Sequence, residues 1–323
     1  MEMMMQVVLL HLSDIHIKAH KDPILKKGKD IAACIYSSLP SASHVFIVVS
    51  GDVAFSGEDF QYALATDFLR EIQAAIQKET SNPVSFIVAP GNHDCNFKQN
   101  SGARKMLVKS IEDSDAPEID SSIIDTCTFI QKPFFEFRRV LEENEAAVDD
   151  SLWRSSRFEV EAQILTFECL NISWISNSHE TPGYLYFPVD RYKGNQTNDV
   201  DIRFLVLHQP LNWFSQSIYR QFREFTRQIS DIVISGHEHQ GNVGIIDEAE
   251  SDKSTFVEGG ALQGGKNLLD SSFNVVVIDL VHRQFKSTRH SWDGARYVSN
   301  EEGSWPEYHN LPAKKNKHFT ILE

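Results

Sequence analysis

Seven residues of metal-ligating type recur in short polar clusters along the chain. Asp14 and His16 stand in Ser13-Asp14-Ile15-His16, Asp52 in Ser50-Gly51-Asp52, and Asn92 in Pro90-Gly91-Asn92-His93-Asp94. His208 opens His208-Gln209-Pro210, and His237 and His239 flank Glu238 after Gly236. Carboxylate, carboxamide and imidazole donors without a thiolate suit Mn, Fe, Zn or Ni rather than a soft metal, and Mn is the first choice. Seven donors exceed what one ion needs but serve two divalent metal ions sharing a carboxylate. Two ions about 3.5–4 Å apart can clamp the attacking and leaving oxygens of an in-line phosphoryl displacement. A lone Asp-x-His or Gly-Asp is common, so the weight lies in all five clusters together.

Each cluster follows a short apolar run: Val7–Leu10, Val45–Val49, Val84–Val88, Phe204–Leu207 and Ile232–Ile234. Continuous runs of this length suit strands buried on both faces. Ligands in open α/β sheets gather outside the carboxyl ends of strands, so five such ends would converge on one small volume. Gly51, Gly91 and Gly236 permit tight strand-to-loop turns that aim the next side chain at the metals. Between the second and third runs, Phe60, Leu64, Phe68, Ile72 and Ile76 recur every fourth residue, with Leu69 on the same face, and predict a core-packed amphipathic helix.

The first 90 or so residues thus suggest βαβ units. From Phe158 to Asn177 and from Thr255 to His290, strand-like segments alternate without helices, which predicts mixed or antiparallel pairing. The expected fold is α/β, a two-layer β-sandwich of mixed sheets flanked by helices. The stretch 97–157 breaks the pattern with an acidic loop and a helix around Phe134–Glu143, and is expected to form a helical insertion capping the site. The domain is placed at 1–303. Residues 304–323, with Lys314, Lys315 and Lys317, read as a tail or the start of a linker, leaving room for further domains or a partner protein.

The formal charge of −14 over 323 residues argues against a wide basic track for duplex nucleic acid, which needs Lys and Arg to displace counterions. It leaves open nucleic acid at a small metal site, where bound cations reverse the local field. Cys34, Cys95, Cys127 and Cys169 are spread without a CxxC pair and read as reduced thiols. Met1–Gln6 is not a signal peptide, and no segment approaches the ~18 apolar residues of a membrane span. A cytoplasmic protein without membrane contact is expected.

Asp14-Ile15-His16, Gly51-Asp52, Gly91-Asn92-His93-Asp94, His208 and Gly236-His237-Glu238-His239 resemble the five motifs of the calcineurin-like metallophosphoesterases, over about residues 7 to 240, and the resemblance is expected to extend to the strands near His290. The resemblance implies Asp14, His16, Asp52 and His239 around one metal, with Asp52 bridging to a second held by Asn92, His208 and His237. It implies that His93 is no ligand but protonates the leaving oxygen or stabilises its charge, and that Asp94 holds the loop or orients His93. A metal-bridging hydroxide would be the nucleophile.

Departures from relatives narrow the expectation. Similar phosphoprotein phosphatases continue the second motif as Asp-Arg-Gly, whereas Val53-Ala54-Phe55-Ser56-Gly57 follows Asp52 and supplies no guanidinium clamp. Similar purple acid phosphatases place a ligating Tyr in this loop, and Phe55 cannot ligate. What remains resembles the branch of cyclic-nucleotide phosphodiesterases and DNA-repair nucleases. His208-Gln209-Pro210 replaces the His-His-Pro often seen in relatives, altering hydrogen bonding around the ligands. The expected function is a phosphodiesterase acting on a nucleotide or nucleic-acid phosphodiester. The alternatives are a phosphomonoesterase on a small metabolite or phosphoprotein, and a non-catalytic scaffold or effector domain.

Other residues carry weaker expectations. His11 packs in its strand or supports Asp14, and Glu238 is a surface or orienting residue. Trp213 and Phe214 pack in the core or form an apolar wall. His179, His282 and His290 have no evident partner. The glycines at 259–260 and 264–265 suggest a backbone passing close to the site or turning tightly. Arg104, Arg138, Arg139, Arg154 and Arg157 could approach a phosphate, but solvation at the surface is the expectation.

Overall fold

The five apolar runs become strands because their side chains find apolar partners on both faces, which a helix with one buried stripe would not require. The computed structural model describes residues 5–143, 146–194, 199–239, 242–246, 254–264 and 268–311. In chain order these form β1 (Gln6–Leu12), α1 (Gly28–Ala33), β2 (Ala42–Ser50), α2 (Asp59–Gln77), β3 (Val84–Ala89), α3 (Gly102–Glu112), α4 (Ser121–Thr128) and α5 (Lys132–Leu141). Then follow β4 (Ala146–Asp149), β5 (Trp153–Val160), β6 (Gln163–Leu170), β7 (Ile202–Val206), α6 (Gln216–Ile229), β8 (Ile232–Ser235), β9 (Asn242–Ile246) and β10 (Ser254–Glu258). β11 (Ser272–Asp279), β12 (Gln284–Trp292) and β13 (Tyr297–Asn310) complete the fold.

Two mixed sheets result, ordered β13-β12-β11-β1-β2-β3 and β4-β5-β6-β7-β8-β10-β9. β1, β2 and β3 run parallel, as do β6, β7, β8 and β10, so within each sheet these carboxyl ends lie at one edge. The sheets face each other through Val7, Leu9, Phe46 and Val48 on one side and Phe167, Phe204, Val206 and Ile234 on the other. Phe46 and Phe204 meet Phe167 at centroid distances of 4.7 and 4.5 Å. Each such pair adds about 0.5–1.5 kcal/mol beyond area burial. Helices cover both outer faces, giving the expected α/β sandwich of mixed sheets.

Several expectations change. The stretch 97–157 is distributed over both layers of the sandwich. Phe134, Phe137 and Leu141 of α5 pack with α2 outside the first sheet, α3 and α4 pack outside the second, and β4 and β5 belong to that sheet. A local sequence reading sees these helices consecutively and cannot assign them to opposite layers. Phe60 leaves the core stripe and is 45% exposed, while Tyr62 and Ala65 are buried instead. The chain does not become a tail at 304, since β13 pairs with β12 as far as Asn310. Gly265, Lys314, Lys315 and Lys317 lie outside the described residues. Among the described residues, no helix is long and apolar enough to cross a membrane.

Arg104, Arg138 and Arg154 are buried rather than solvated, and Arg139 and Arg157 are exposed. Arg104 satisfies its guanidinium on the carbonyls of Cys127 (2.7 Å), Trp174 (3.1 Å) and Ser176 (2.8 Å). Arg154 pairs with Glu142 and Asp149, and Arg138 with Asp149. These partners are 5 to 72 residues away in sequence, so the sequence pattern gave no sign of them.

Candidate metal centre

The loops after β1 and β2 stay paired beyond the strands: Asp14 N donates to Gly51 O at 3.2 Å and His16 N to Asp52 O at 2.9 Å. This places Asp14, His16 and Asp52 side by side in the left-handed backbone region, with φ of 52°, 49° and 55°. His237 and His239 share that conformation at φ 75° and 58°. Non-glycine residues held there cost of order 1–3 kcal/mol each and gather where function over-determines the backbone. Glycines make room. A Cβ on Gly91 would lie 2.2 Å from Asp52 Oδ1, and one on Gly51 would lie 2.5 Å from His208 Nδ1.

All seven candidate donors reach one volume or its wall. Asp14, His16 and His239 can present ligand atoms within 4.8 Å of one another; so can Asp52, His208 and His237, and so can His16, Asp52 and His93. Asn92 lines the adjoining cleft with His93 and His237. Asp14 Oδ1 lies 3.2 Å from His239 Nε2 and 3.6 Å from His16 Nε2, and Asp52 Oδ2 lies 3.1 Å from His208 Nε2 and 3.8 Å from His16 Nε2. Among the described residues, buried Asp14 Oδ1, His16 Nδ1 and Asn92 Oδ1 have no hydrogen-bond partner. Oxygen and nitrogen donors so crowded and so incompletely bonded fit divalent cations.

The next layer fixes these groups. Asp14 Oδ2 accepts from Ser13 Oγ (2.6 Å) and His237 N (3.1 Å), and Asp52 Oδ1 accepts from His93 N (2.8 Å). His208 Nδ1 faces the Ser50 carbonyl at 2.8 Å, so that nitrogen carries the proton and Nε2 turns towards Asp52. Burial works against charging His208, but the Asp52 carboxylate outweighs it and pushes the imidazole up to about 10. Asp52 itself is brought down to about 2: burial opposes this, and the charge and hydrogen bond of His208 prevail. Burial takes His237 down to about 4, aided by the charge of His208. His11, wholly buried, bonds Ser50 Oγ at 2.8 Å and is pulled down to about 3 by burial, which keeps it neutral.

His93 and Asp94 part company. His93 Nδ1 bonds the Phe55 carbonyl at 2.8 Å. Asp94 accepts from the backbone nitrogens of Val53 (3.3 Å), Ala54 (3.0 Å) and Gly91 (2.9 Å) and from Tyr62 Oη (3.0 Å). It ties the loops after β2 and β3 together and hydrogen-bonds no part of the His93 ring. Burial, then the charge of Asp52, raises it to about 6.

A cleft of about 410 Å³ opens from Asn92, His93 and His237, walled by Phe55, Phe97 and Trp213. Trp213 meets His237 edge-on at 4.2 Å and donates to Glu238 Oε1 at 3.1 Å, so Glu238 orients the wall. Phe214 is core, stacked on Phe222. Gln209 turns to Ser173 Oγ (2.9 Å) and Glu180 Oε2 (3.2 Å). His282 finds a partner in Asp279 at 2.9 Å, and His290 stacks on Phe273. His179 is exposed in a neighbouring chamber. The backbone after Gly259 passes against the site: Leu262 N and Gln263 N bond the carbonyls of Ser13 and Asp14. Ser13, Gln263 and Glu180 escaped the sequence reading. Only Ser13, adjacent to Asp14, carried a local signal.

The sequence matches the family model of calcineurin-like phosphoesterases over residues 7–241. Similar solved structures include Vacuolar Protein Sorting 29 from Cryptosporidium parvum, at 13% identity, 91% of this chain and 96% of that chain covered, and TM-score 0.34. Phosphopantetheinyl hydrolase from Mycobacterium tuberculosis shares 12% identity over 79% of this chain and 90% of that one, with TM-score 0.38. Sulfate thiohydrolase SoxB from Thermus thermophilus shares 10% over 93% and 56%, with TM-score 0.44. No curated protein matches the sequence. The matched segment contains every one of the five polar clusters, and the chain belongs to the calcineurin-like phosphoesterases, a family of divalent-metal-dependent phosphoester hydrolases.

Proposed function

We propose that the chain is a two-metal phosphodiesterase acting on a nucleotide or nucleic-acid phosphodiester, with Mn as the working metal. The observation that carries this reading is the position of Asp52, common to two of the three donor groups and lying between His16 and His208. Asp14, His16, Asp52 and His239 would hold one ion, and Asp52, Asn92, His208 and His237 the other. Bound there, two cations supply Lewis-acid charge for in-line displacement by water.

The chain's own groups then have distinct tasks. His93 spends Nδ1–H on the Phe55 carbonyl, which leaves Nε2 for the leaving oxygen. A proton carried on Nε2 would pass to the leaving oxygen as the ester bond breaks. Asp94 keeps the two loops, and hence Asp52 and His93, in register. Phe55, Phe97 and Trp213 offer flat apolar surface to a base or aryl group.

Support for a diester comes from the cleft wall. Among its described residues there is no arginine, and Lys98 is paired with Glu58 at 2.9 Å. A phosphomonoester dianion would find no guanidinium and would face Glu180, whereas a diester carries one charge fewer. Hydrolysis of bis-p-nitrophenyl phosphate and p-nitrophenyl phosphate with Mn tests this. The diester should be preferred, and a strong monoester preference would overturn the reading. Metal analysis accompanies it, with two ions per chain expected.

A further inference from the structure

The cleft does not end at Trp213. A second chamber of about 190 Å³ adjoins it and shares Asn177, Glu180 and Trp213 as walls. Two carboxylates stand in its wall beside Lys109, His179, Thr181 and Tyr184. Glu180 and Glu112 contribute carboxylates, while Asn177 spends Nδ2 on Glu112 Oε1 at 3.0 Å and Oδ1 on His179 N at 2.9 Å. The Lys109 ammonium is drawn off to Asp113 at 2.8 Å. Glu180 is not a loose surface acid. It accepts from Gln209 Nε2, and Gln209 is fully buried, anchored on Ser173, and follows His208 directly. The segment leading into Glu180 is pinned in turn by Arg104, which donates to the carbonyls of Trp174 and Ser176. An acceptor held this way is preorganised, so a donor that meets it loses little by ordering.

We propose that Glu180 is a specificity-determining residue that selects phosphodiesters whose second arm carries hydrogen-bond donors, hydroxyl or amine, and no further negative charge. The inference rests on the diesterase reading. With the phosphate at the metal centre and an apolar group against Phe55 and Trp213, the remaining arm enters the chamber and donates to Glu180. A polyphosphate or carboxylate arm would meet two carboxylates there. An arm without donors would leave Glu180 facing apolar surface after losing water, and a buried polar group left unpaired is the strongest form of discrimination a site can build.

The test compares two chromogenic diesters on the full chain with Mn: p-nitrophenyl thymidine 5′-phosphate, which carries a free 3′-hydroxyl, and bis-p-nitrophenyl phosphate, which has no donor. Wild type should favour the nucleoside ester. In Glu180→Ala the ratio of the two kcat/KM values should fall about tenfold or more, chiefly through KM, as expected for loss of a hydrogen bond to a charged acceptor. Glu180→Gln keeps an acceptor oxygen and should fall between. A ratio within twofold of wild type in both variants, or an equal loss on both esters, would overturn the inference and leave the diesterase reading standing. A wild type that cleaves only p-nitrophenyl phosphate would remove the diesterase reading and this inference with it.

Discussion

His208 Nε2 stands 3.1 Å from Asp52 Oδ2, and both side chains are withdrawn from solvent. Each stabilises the charged form of the other, so in the metal-free chain a proton sits where a cation would bind.

A pH dependence follows. The folded-state value of His208 is raised from 6.5 to about 10, so its contribution to stability is complete below pH 6.5 and is lost as pH rises through about 10. Asp52 is lowered from 3.8 to about 2, so its contribution is present above pH 3.8 and is lost as pH falls through about 2. The pair thus supports the metal-free chain fully between pH 3.8 and 6.5. A divalent ion must displace the His208 proton, so Mn affinity should rise as pH rises towards about 10, with protons released. Calorimetry in two buffers of different ionisation enthalpy measures the release, and binding without it would contradict the assignment of His208 as a ligand.

Loss of His93 should depend on the leaving group. His93→Ala is expected to slow a diester with an alkyl leaving group roughly 100- to 10,000-fold. A p-nitrophenyl ester, whose leaving group departs without a proton, should be slowed far less. Equal loss on both would assign His93 to metal or phosphate binding instead.

Two glycines separate crowding from simple replacement. A Cβ at Gly91 would press on Asp52 at 2.2 Å from Oδ1 and 2.6 Å from the backbone nitrogen. Gly91→Ala should therefore displace Asp52 and abolish stoichiometric metal binding. At Gly102 in α3 a Cβ meets nothing within 4 Å, and Gly102→Ala should stabilise by about 0.4–1 kcal/mol without touching the metals. Metal content and Tm of the two variants provide the comparison.

Arg104→Ala should be costly although Arg104 is not among the candidate ligands. It would empty a fully buried site and strand three carbonyls, a loss on the order of 3–5 kcal/mol. Chemical denaturation measures it. Arg104→Lys should recover little, because one ammonium cannot reproduce the planar fork that spans Cys127, Trp174 and Ser176. A lysine variant as stable as wild type would overturn that account.

The sequence alone determined the five buried strands, the polar cluster behind each, and the chemical type of the centre. These are local facts: run length and β-branched content call for a strand, and Asp, Asn and His at its end cannot join the apolar core that precedes them. Tertiary structure decided what depends on distant partners. His208 is oriented by a carbonyl 158 residues away, and α3, α4 and α5 divide between opposite faces of the sandwich. Asp94 became a clamp between loops because Tyr62 and the nitrogens of Val53, Ala54 and Gly91 converge on it. Glu180 enters the cleft wall through Gln209, beyond the reach of any strand-end pattern. Even the left-handed backbone of Asp14, His16, Asp52, His237 and His239 is invisible in residue type, since it is imposed by neighbouring loops whose hydrogen bonds outweigh the local preference.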